Sequence, residues 1–224
     1  MKNKEKADLL RANGLEPRNR LLFTGPPGNG KTSLAEAIAN ELMLPFYVVK
    51  YDSLIGSYLG ETSSRLKRIF EFIDSQQCVL FFDEFDTIAK ERGAEFETGE
   101  IKRVVSSLLL NIDDLVSDVI VITASNHAEL LDKAVWRRFQ VKLALENPTR
   151  KQIEEWFLRF FQRFEYASKY SEKTLGKYLY GLSFSDIEQF CFDIQRRFVL
   201  KEGEESLRDV ISYKLKQWNL PKNK

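Results

Sequence analysis

The sequence has few residues of the kinds that build zinc sites and disulfide frameworks. It contains one histidine and two cysteines among 224 residues. A single histidine, His127, gives little support to a His-Glu-x-x-His zinc site or a Ser-His triad. Cys78 and Cys191 stand in apolar surroundings without a spaced framework. We therefore expect buried free thiols in a reducing, cytoplasmic compartment.

The sequence also lacks an excess of charge and a long apolar run. Charged residues make up 30% of the chain, but the net charge is only +1. This balance leaves no electrostatic footprint for nucleic acid or an anionic membrane. We expect no signal peptide at the start of the sequence, and no apolar run approaches the ~20 residues needed to cross a bilayer. We expect neither a nucleic-acid partner nor a membrane partner.

The strongest motif is "LLFTGPPGNGKTSLAEAIANEL". Leu21 to Phe23 predict a short buried strand, and Ser33 to Leu42 predict a helix. The loop between them follows the G-x-x-x-x-G-K-[ST] pattern, whose backbone N–H groups converge on a phosphate at the positive end of a helix. We expect Lys31 to reach the β- and γ-phosphates and Thr32 to ligate Mg²⁺. The expected ATP-binding residues of this motif are Gly25, Pro26, Pro27, Gly28, Asn29, Gly30, Lys31, Thr32 and Ser33.

A second motif, "VLFFDEFDTIAK", supplies acidic residues. Val79 to Phe82 form an apolar run typical of a strand buried on both faces of a parallel sheet. Asp83 follows at its carboxyl end, where we expect it to hold Mg²⁺. Glu84 is placed to orient and deprotonate an attacking water, which favours hydrolysis of ATP. The alternative is that Glu84 and Asp86 are ordinary acids at a strand end.

A third strand is predicted in "DVIVITASN", where β-branched Val119 to Ile122 precede Asn126. The Asn126 amide could contact the γ-phosphate or the water. Asparagine also ends strands for reasons of turn geometry, so this motif alone leaves both interpretations open.

Two adjacent arginines, Arg137 and Arg138, end the short helix predicted in "LLDKAVWRRFQV". Such pairs usually form surface ion pairs. Phosphoryl transfer, however, often uses a guanidinium to stabilise charge in the transition state. If these side chains do not reach the γ-phosphate of their own chain, a second subunit must supply them.

In order and spacing, these motifs resemble those of the AAA group of AAA+ ATPases. The resemblance implies a P-loop α/β fold with a three-layer parallel sheet core and a small helical lid. We place the core at residues 1–147 and the lid at residues 148–224. Asn126 would be sensor 1, and Arg137 and Arg138 the arginine fingers. "GLSFSDIEQF", with Ser185, resembles the lid motif near the adenine, where ATP lies between core and lid.

The chain departs from the family pattern at several positions. Asn29 stands where threonine is common, and Phe184 replaces a small residue near the adenine. Gln140 replaces a common aspartate, and Asp114 replaces glycine in "NIDDL", which resembles the inter-subunit signalling segment. The short "RRFQ" segment with Gln140 leaves open which arginine is the principal finger. Phe184 leaves open whether nucleotide binding is altered or the base stacks on its ring, and Asp114 leaves open how the subunits are coupled.

The stretch "SLIGSYLGETSSRLKRIFEF" resembles the first pore loop of the family and its following helix. By this resemblance Tyr58 and Leu59 project into the channel of a ring and grip a polypeptide. The alternative is that Tyr58 packs in the core and the flanking glycines only turn the chain. A second loop, "KERGAEFETGE", carries acidic residues to which the resemblance assigns no role: Glu95, Glu97 and Glu100.

Beyond residue 147 the pattern becomes helical. "QIEEWFLRFFQRF" and "SDIEQFCFDIQRRF" place apolar residues at helical spacing, which predicts amphipathic helices around a core. Pro148 ends the preceding segment and Thr149 can cap the next helix.

The resemblance implies an ATPase that uses Mg²⁺ and forms a hexameric ring to remodel, unfold or translocate protein substrates. Only a short stretch precedes the phosphate loop, where members of this group usually carry a separate substrate or adaptor domain. We expect a shortened chain, a minimal ATPase or recruitment through a partner, and degradation would need a protease in trans. Two alternatives are a nucleic-acid-associated loader or initiator and a nucleotide-gated scaffold with little turnover. A loader or initiator would need a basic groove for nucleic acid. The intact Glu84 and Asn126 argue against a scaffold with little turnover.

Overall fold

The computed structural model describes residues 2–50, 61–74, 76–85, 98–115, 118–131, 133–162, 170–201 and 204–218. The chain divides into two compact units by its internal contacts. The first comprises Met1–Gly25 and Lys31–Leu145, and the second comprises Pro26–Gly30 and Glu146–Lys224. The part of the phosphate motif between Gly25 and Lys31 is thus grouped with the C-terminal part of the chain.

The first unit is built on a parallel sheet of five strands. Their order across the sheet is β2-β3-β4-β1-β5, and each neighbouring pair is parallel. The strands are β1 (Arg20–Thr24), β2 (Phe46–Val49), β3 (Val79–Phe82), β4 (Ile120–Ser125) and β5 (Val141–Ala144). The predicted α/β fold with a parallel sheet is confirmed.

The described helices of this unit are α1 (Lys2–Ala12), α2 (Lys31–Leu42), α3 (Glu61–Ile73), α4 (Thr98–Asp114) and α5 (Lys133–Arg138), with a 3₁₀ turn at Ala128–Leu130. Buried residues of α2, α3, α4 and α5 pack on the two faces of the sheet. Successive strand residues point to opposite faces. Leu22 accordingly packs in a cluster with α3 and α4, while Phe23 packs in another with α2. The unit therefore has three layers.

In its described residues, the second unit carries four helices around an aromatic core. They are α6 (Arg150–Phe161), α7 (Glu172–Tyr178), α8 (Phe184–Leu200) and α9 (Leu207–Gln217). Thr149 caps α6 and Ser183 caps α8, each with a reciprocal capping box. Most residues of the predicted amphipathic stripes are buried: Ile153, Phe157 and Phe160 on α6, and Ile187, Phe190, Cys191 and Ile194 on α8. Trp156, Phe161 and Phe198 are partly buried and pack against them, and Phe164 lies outside the described residues.

An ion pair joins the end of α8 to the start of α9. Arg197 donates hydrogen bonds of 2.7 and 2.6 Å to the two carboxylate oxygens of Glu205. These bonds lower the pKa of Glu205 below its ordinary value. The Arg197 guanidinium also lies 3.7 Å from the ring centroid of Tyr213 on α9. These contacts therefore tie the end of α8 to α9 and to the residue just before its N-cap.

Cys78 and Cys191 are both buried free thiols, as predicted. Among the described helices, none is long and apolar enough to cross a membrane.

Candidate functional site

Three neighbouring strands of the sheet end at the same edge. In the register, Thr24 at the end of β1 pairs with Ser125 at the end of β4. Phe82 at the end of β3 pairs with Thr123 of β4. Neighbouring strands lie about 4.8 Å apart, so β1 and β3 are separated by about 10 Å across β4. The chain leaves these three strands at Gly25, Asp83 and Asn126, which brings three predicted site residues to one edge.

Lys31 begins α2 and is buried, with only 8% of its surface exposed. Its ammonium group donates a 2.7 Å hydrogen bond to the carbonyl oxygen of Gly25. Gly25 has a φ of 131°, and a Cβ there would collide with the Leu145 carbonyl. Glycine is therefore required at the start of the loop, and the lysine is held beside it.

The acidic strand end forms a sharp turn after β3. Glu84 is exposed and has a φ of 51°, in the left-handed region that costs a residue other than glycine about 1–3 kcal/mol. Its N–H donates a 2.9 Å hydrogen bond to Oδ1 of Asp83. The next residue, Phe85, is buried and packs edge-on against Phe139 at 6.1 Å. These contacts hold the turn and direct Glu84 out of the core.

The two predicted finger arginines have different surroundings. Nε of Arg138 donates a 2.8 Å hydrogen bond to Oδ2 of Asp113, at the end of α4. The other oxygen of Asp113 accepts a 2.9 Å bond from Arg20 of β1. Arg137 is exposed, and no ion pair of its side chain is found among the described residues. The Arg138 side chain is thus bound within its own chain, whereas the Arg137 side chain projects from the surface.

Gln140, one of the departures from the family pattern, ties the arginine segment to the sheet. Its Oε1 accepts hydrogen bonds from the backbone N–H of Asn19 at 3.0 Å and of Arg20 at 3.1 Å. A carboxamide can therefore serve a structural role here, where the family commonly has aspartate. Sequence reasoning missed this contact and the role of Asp113, because both depend on residues far apart in the chain.

Asn126 is half-buried immediately after β4. The preceding residue, Ser125, is fully buried, and its Oγ accepts a 3.1 Å hydrogen bond from the His127 N–H. This bond shapes the chain as it leaves the sheet and so positions Asn126 at its edge.

Within the second unit, the phosphate loop contacts the start of α8. Asn29 is 5% exposed, and its Nδ2 donates a 2.8 Å hydrogen bond to Oδ1 of Asn147. The N–H of Phe184 donates to Oδ1 of Asn29 at 3.2 Å. The N–H of Ser185 donates to the carbonyl of Gly28 at 2.9 Å. The lid motif of the sequence thus meets the loop through its backbone.

Several predicted residues lie outside the described part of the chain. They are the pore-loop residues Tyr58 and Leu59, together with Asp86, Glu95 and Glu97. Across the residues that the structure does describe, no group of three or more His, Cys, Asp and Glu side chains could hold a metal ion.

Comparison with known proteins places the chain among ATPases. The profile of the ATPase family associated with various cellular activities (AAA) matches residues 21–147. The chain is 40% identical over 205 residues to an uncharacterized AAA family ATPase of Sinorhizobium fredii, covering 92% of this chain and 62% of that protein.

Two further relatives extend this comparison. The peroxisomal ATPase PEX6 of Candida glabrata is 33% identical over 213 residues, which cover 91% of this chain and 21% of that protein. A putative 26S proteasome regulatory subunit homolog of Methanothermobacter thermautotrophicus is 32% identical over 205 residues, with 90% and 55% covered. The chain spans less than two thirds of the length of each of these relatives. Because the family profile covers more than half of the residues, this chain belongs to the AAA family of ATPases.

Proposed function

We propose that the chain is a Mg²⁺-dependent ATP hydrolase that assembles into a hexameric ring and remodels, unfolds or translocates protein substrates. The observation that carries this proposal is the meeting of the β1, β3 and β4 carboxyl ends at one edge of the sheet. In parallel sheets, ligands bind at this edge. The division into an ATPase core of residues 1–147 and a lid of residues 148–224 is part of the proposal.

The residues at this edge suit a magnesium nucleotide. Mg²⁺ prefers oxygen ligands, takes few from the protein and keeps several waters. The Thr32 hydroxyl and the Asp83 carboxylate are both oxygen donors and both half-buried. When bound, Mg²⁺ would neutralise charge on the phosphates. The Lys31 ammonium would exchange its bond to the Gly25 carbonyl for a phosphate oxygen, since both are acceptors at the same loop.

Glu84 is the base in this proposal. Its exposed carboxylate can take the proton from the attacking water, while the Asp83 carboxylate is held in place by the Glu84 N–H. Asn126, at the adjacent strand end, can hold the water or the γ-phosphate by its amide. The leaving group is ADP, and the water oxygen forms the new bond to the γ-phosphorus.

A second copy of the chain completes the site through Arg137. Its side chain projects from the first unit while Arg138 is bound to Asp113. Arg137 is therefore the principal finger in this proposal, and Arg138 orients the segment that carries it. An assembly in which each copy supplies Arg137 to the next closes most simply as a ring.

Two relatives, a peroxisomal ATPase and a putative 26S proteasome regulatory subunit homolog, favour protein handling over nucleic-acid handling. The net charge of +1 agrees with this choice. Tyr58 and Leu59 remain the proposed substrate-gripping residues of the ring, and an adaptor or protease acting in trans remains a proposed partner.

The first test of this function is the dependence of ATP turnover on chain concentration. We expect turnover per chain to rise as the chain is concentrated, because the site needs Arg137 from a neighbour, and to vanish with EDTA. Sedimentation of the same samples should show assembly over the same range. Equal turnover in dilute monomers and in concentrated samples would contradict the shared site.

The second test concerns the protein substrate. Tyr58→Ala should lower the unfolding of a tagged fluorescent protein per ATP hydrolysed by at least about tenfold, since aromatic contact area is lost from the grip. Tyr58→Phe keeps the ring and should retain most of the coupling. Equal coupling in Tyr58→Ala and wild type would remove Tyr58 from the substrate path.

A further inference from the structure

We infer that Asn29 is a positioning residue, which joins the phosphate loop to the first turn of α8 and thereby orients a backbone N–H for phosphate. The inference rests on the proposed binding of ATP and concerns a residue that departs from the common threonine. It is carried by hydrogen bonds within the second unit alone.

The first turn of a helix leaves backbone N–H groups without helical partners. In α8, Ser183 is the N-cap, and its Oγ accepts from the N–H of Asp186 at 3.2 Å. The Asp186 carboxylate accepts from the N–H of Ser183 in return. The two N–H groups that remain, those of Phe184 and Ser185, donate to the Asn29 side chain and to the Gly28 carbonyl. The loop thus completes the cap of the lid helix.

Both ends of the Asn29 amide are used. Its oxygen accepts from Phe184, and its nitrogen donates to Asn147. Asn147 in turn donates a 2.9 Å bond to the carbonyl of Gly181, just before α8. A threonine has one hydroxyl, closer to the backbone, and has no separate donor and acceptor atoms to span this gap. Asparagine therefore makes a link that the common residue cannot make in the same way.

The link also fixes the plane of one peptide group. The Gly28 carbonyl accepts from Ser185, and in a trans peptide the N–H points opposite to the carbonyl. The N–H of Asn29 must therefore point away from α8. Gly28 permits this approach, because a Cβ there would lie 2.8 Å from Ser183 Oγ and 2.9 Å from Ser185 Cβ. The start of α8 thus binds the carbonyl of the Gly28–Asn29 peptide group and leaves the N–H of that group for phosphate.

The test compares Asn29→Ala with two variants outside the loop, Asn147→Leu and Asn147→Asp. The aspartate variant keeps an acceptor for the Asn29 amide, whereas the leucine variant removes it. Asn29→Ala and Asn147→Leu should weaken binding of a fluorescent ATP analogue roughly 5- to 30-fold. They should raise KM by a similar factor and change kcat less than about threefold. Asn147→Asp keeps the acceptor for the Asn29 amide but loses the donor to the Gly181 carbonyl, so it should weaken binding less than Asn147→Leu does.

Amide exchange supplies a readout that does not depend on activity. The Phe184 N–H should exchange at least about tenfold faster in Asn29→Ala without nucleotide, because its acceptor is gone. Gln189→Ala, an exposed change on α8 whose side chain bonds only to Asp193 among the described residues, should alter neither Phe184 exchange nor ATP binding.

Normal ATP binding in both Asn29→Ala and Asn147→Leu would overturn the inference and leave the proposed function intact. If Asn29→Ala does not fold, the Asn147 pair decides alone: equal affinity in Asn147→Leu and Asn147→Asp would count against the link. A wild-type chain that binds no ATP would overturn the proposed function, and the role of Asn29 with it.

Discussion

Glu84→Gln is expected to bind ATP with near-normal affinity and to hydrolyse it about 10²–10⁴-fold more slowly. Glutamine has the shape of glutamate but cannot accept a proton from water at neutral pH. The exposed position of Glu84, on a turn held by Asp83 and Phe85, leaves the side chain free for this task. The loss should therefore appear in kcat and not in binding.

Single-turnover hydrolysis and equilibrium binding of ATP measure the two effects separately. Glu41→Gln is a matched control, because Glu41 is exposed and lies about 15 Å along α2 from Lys31. It should leave both quantities unchanged. Turnover of Glu84→Gln within a few-fold of wild type would remove Glu84 from the role of base and leave its left-handed φ without a functional reason.

The parts of the site that could be predicted are those that depend on residues adjacent in the sequence. β3 is a continuous apolar run and β4 begins with the β-branched residues Ile120 to Ile122, which is typical of strands buried on both faces. The glycines and the lysine of the loop follow one another at fixed spacing, which set the turn and the helix start. β2 and β5, at the two edges of the sheet, carry exposed residues within the strand, namely Val48, Lys142 and Leu143, and both strands escaped prediction.

What escaped prediction depends on residues brought together by the fold. Asp113 meets Arg138 only because α4 and α5 pack in the same layer. Asn29 meets Asn147 across 118 positions of the chain. Sequence reading could flag Asn29 and Gln140 as unusual for the family, but not say what they bond. An unusual polar residue in a familiar motif is therefore a signal to look for a distant partner.

Arg137→Ala is expected to lower ATP turnover of the assembled protein by about 10³–10⁵-fold, the range for loss of an arginine finger. Its side chain is exposed, so its removal should leave the fold and the ATP affinity nearly unchanged. Arg137→Lys should restore little, because an ammonium lacks the planar fork of guanidinium. Arg138→Ala should have a smaller effect, since it removes an ion pair that is about one-third exposed.

Mixing experiments identify the chain that supplies the finger. Arg137→Ala chains keep an intact phosphate loop, and Lys31→Ala chains keep an intact Arg137. Mixed assemblies should therefore regain activity that neither variant shows alone, wherever the finger of one enters the site of the other. Arg208→Ala, an exposed change on α9, should behave as wild type in the same mixtures. Mixed assemblies that sediment as rings yet remain inactive would show that Arg137 does not act across subunits. Full activity of Arg137→Ala alone would transfer the role of principal finger to Arg138.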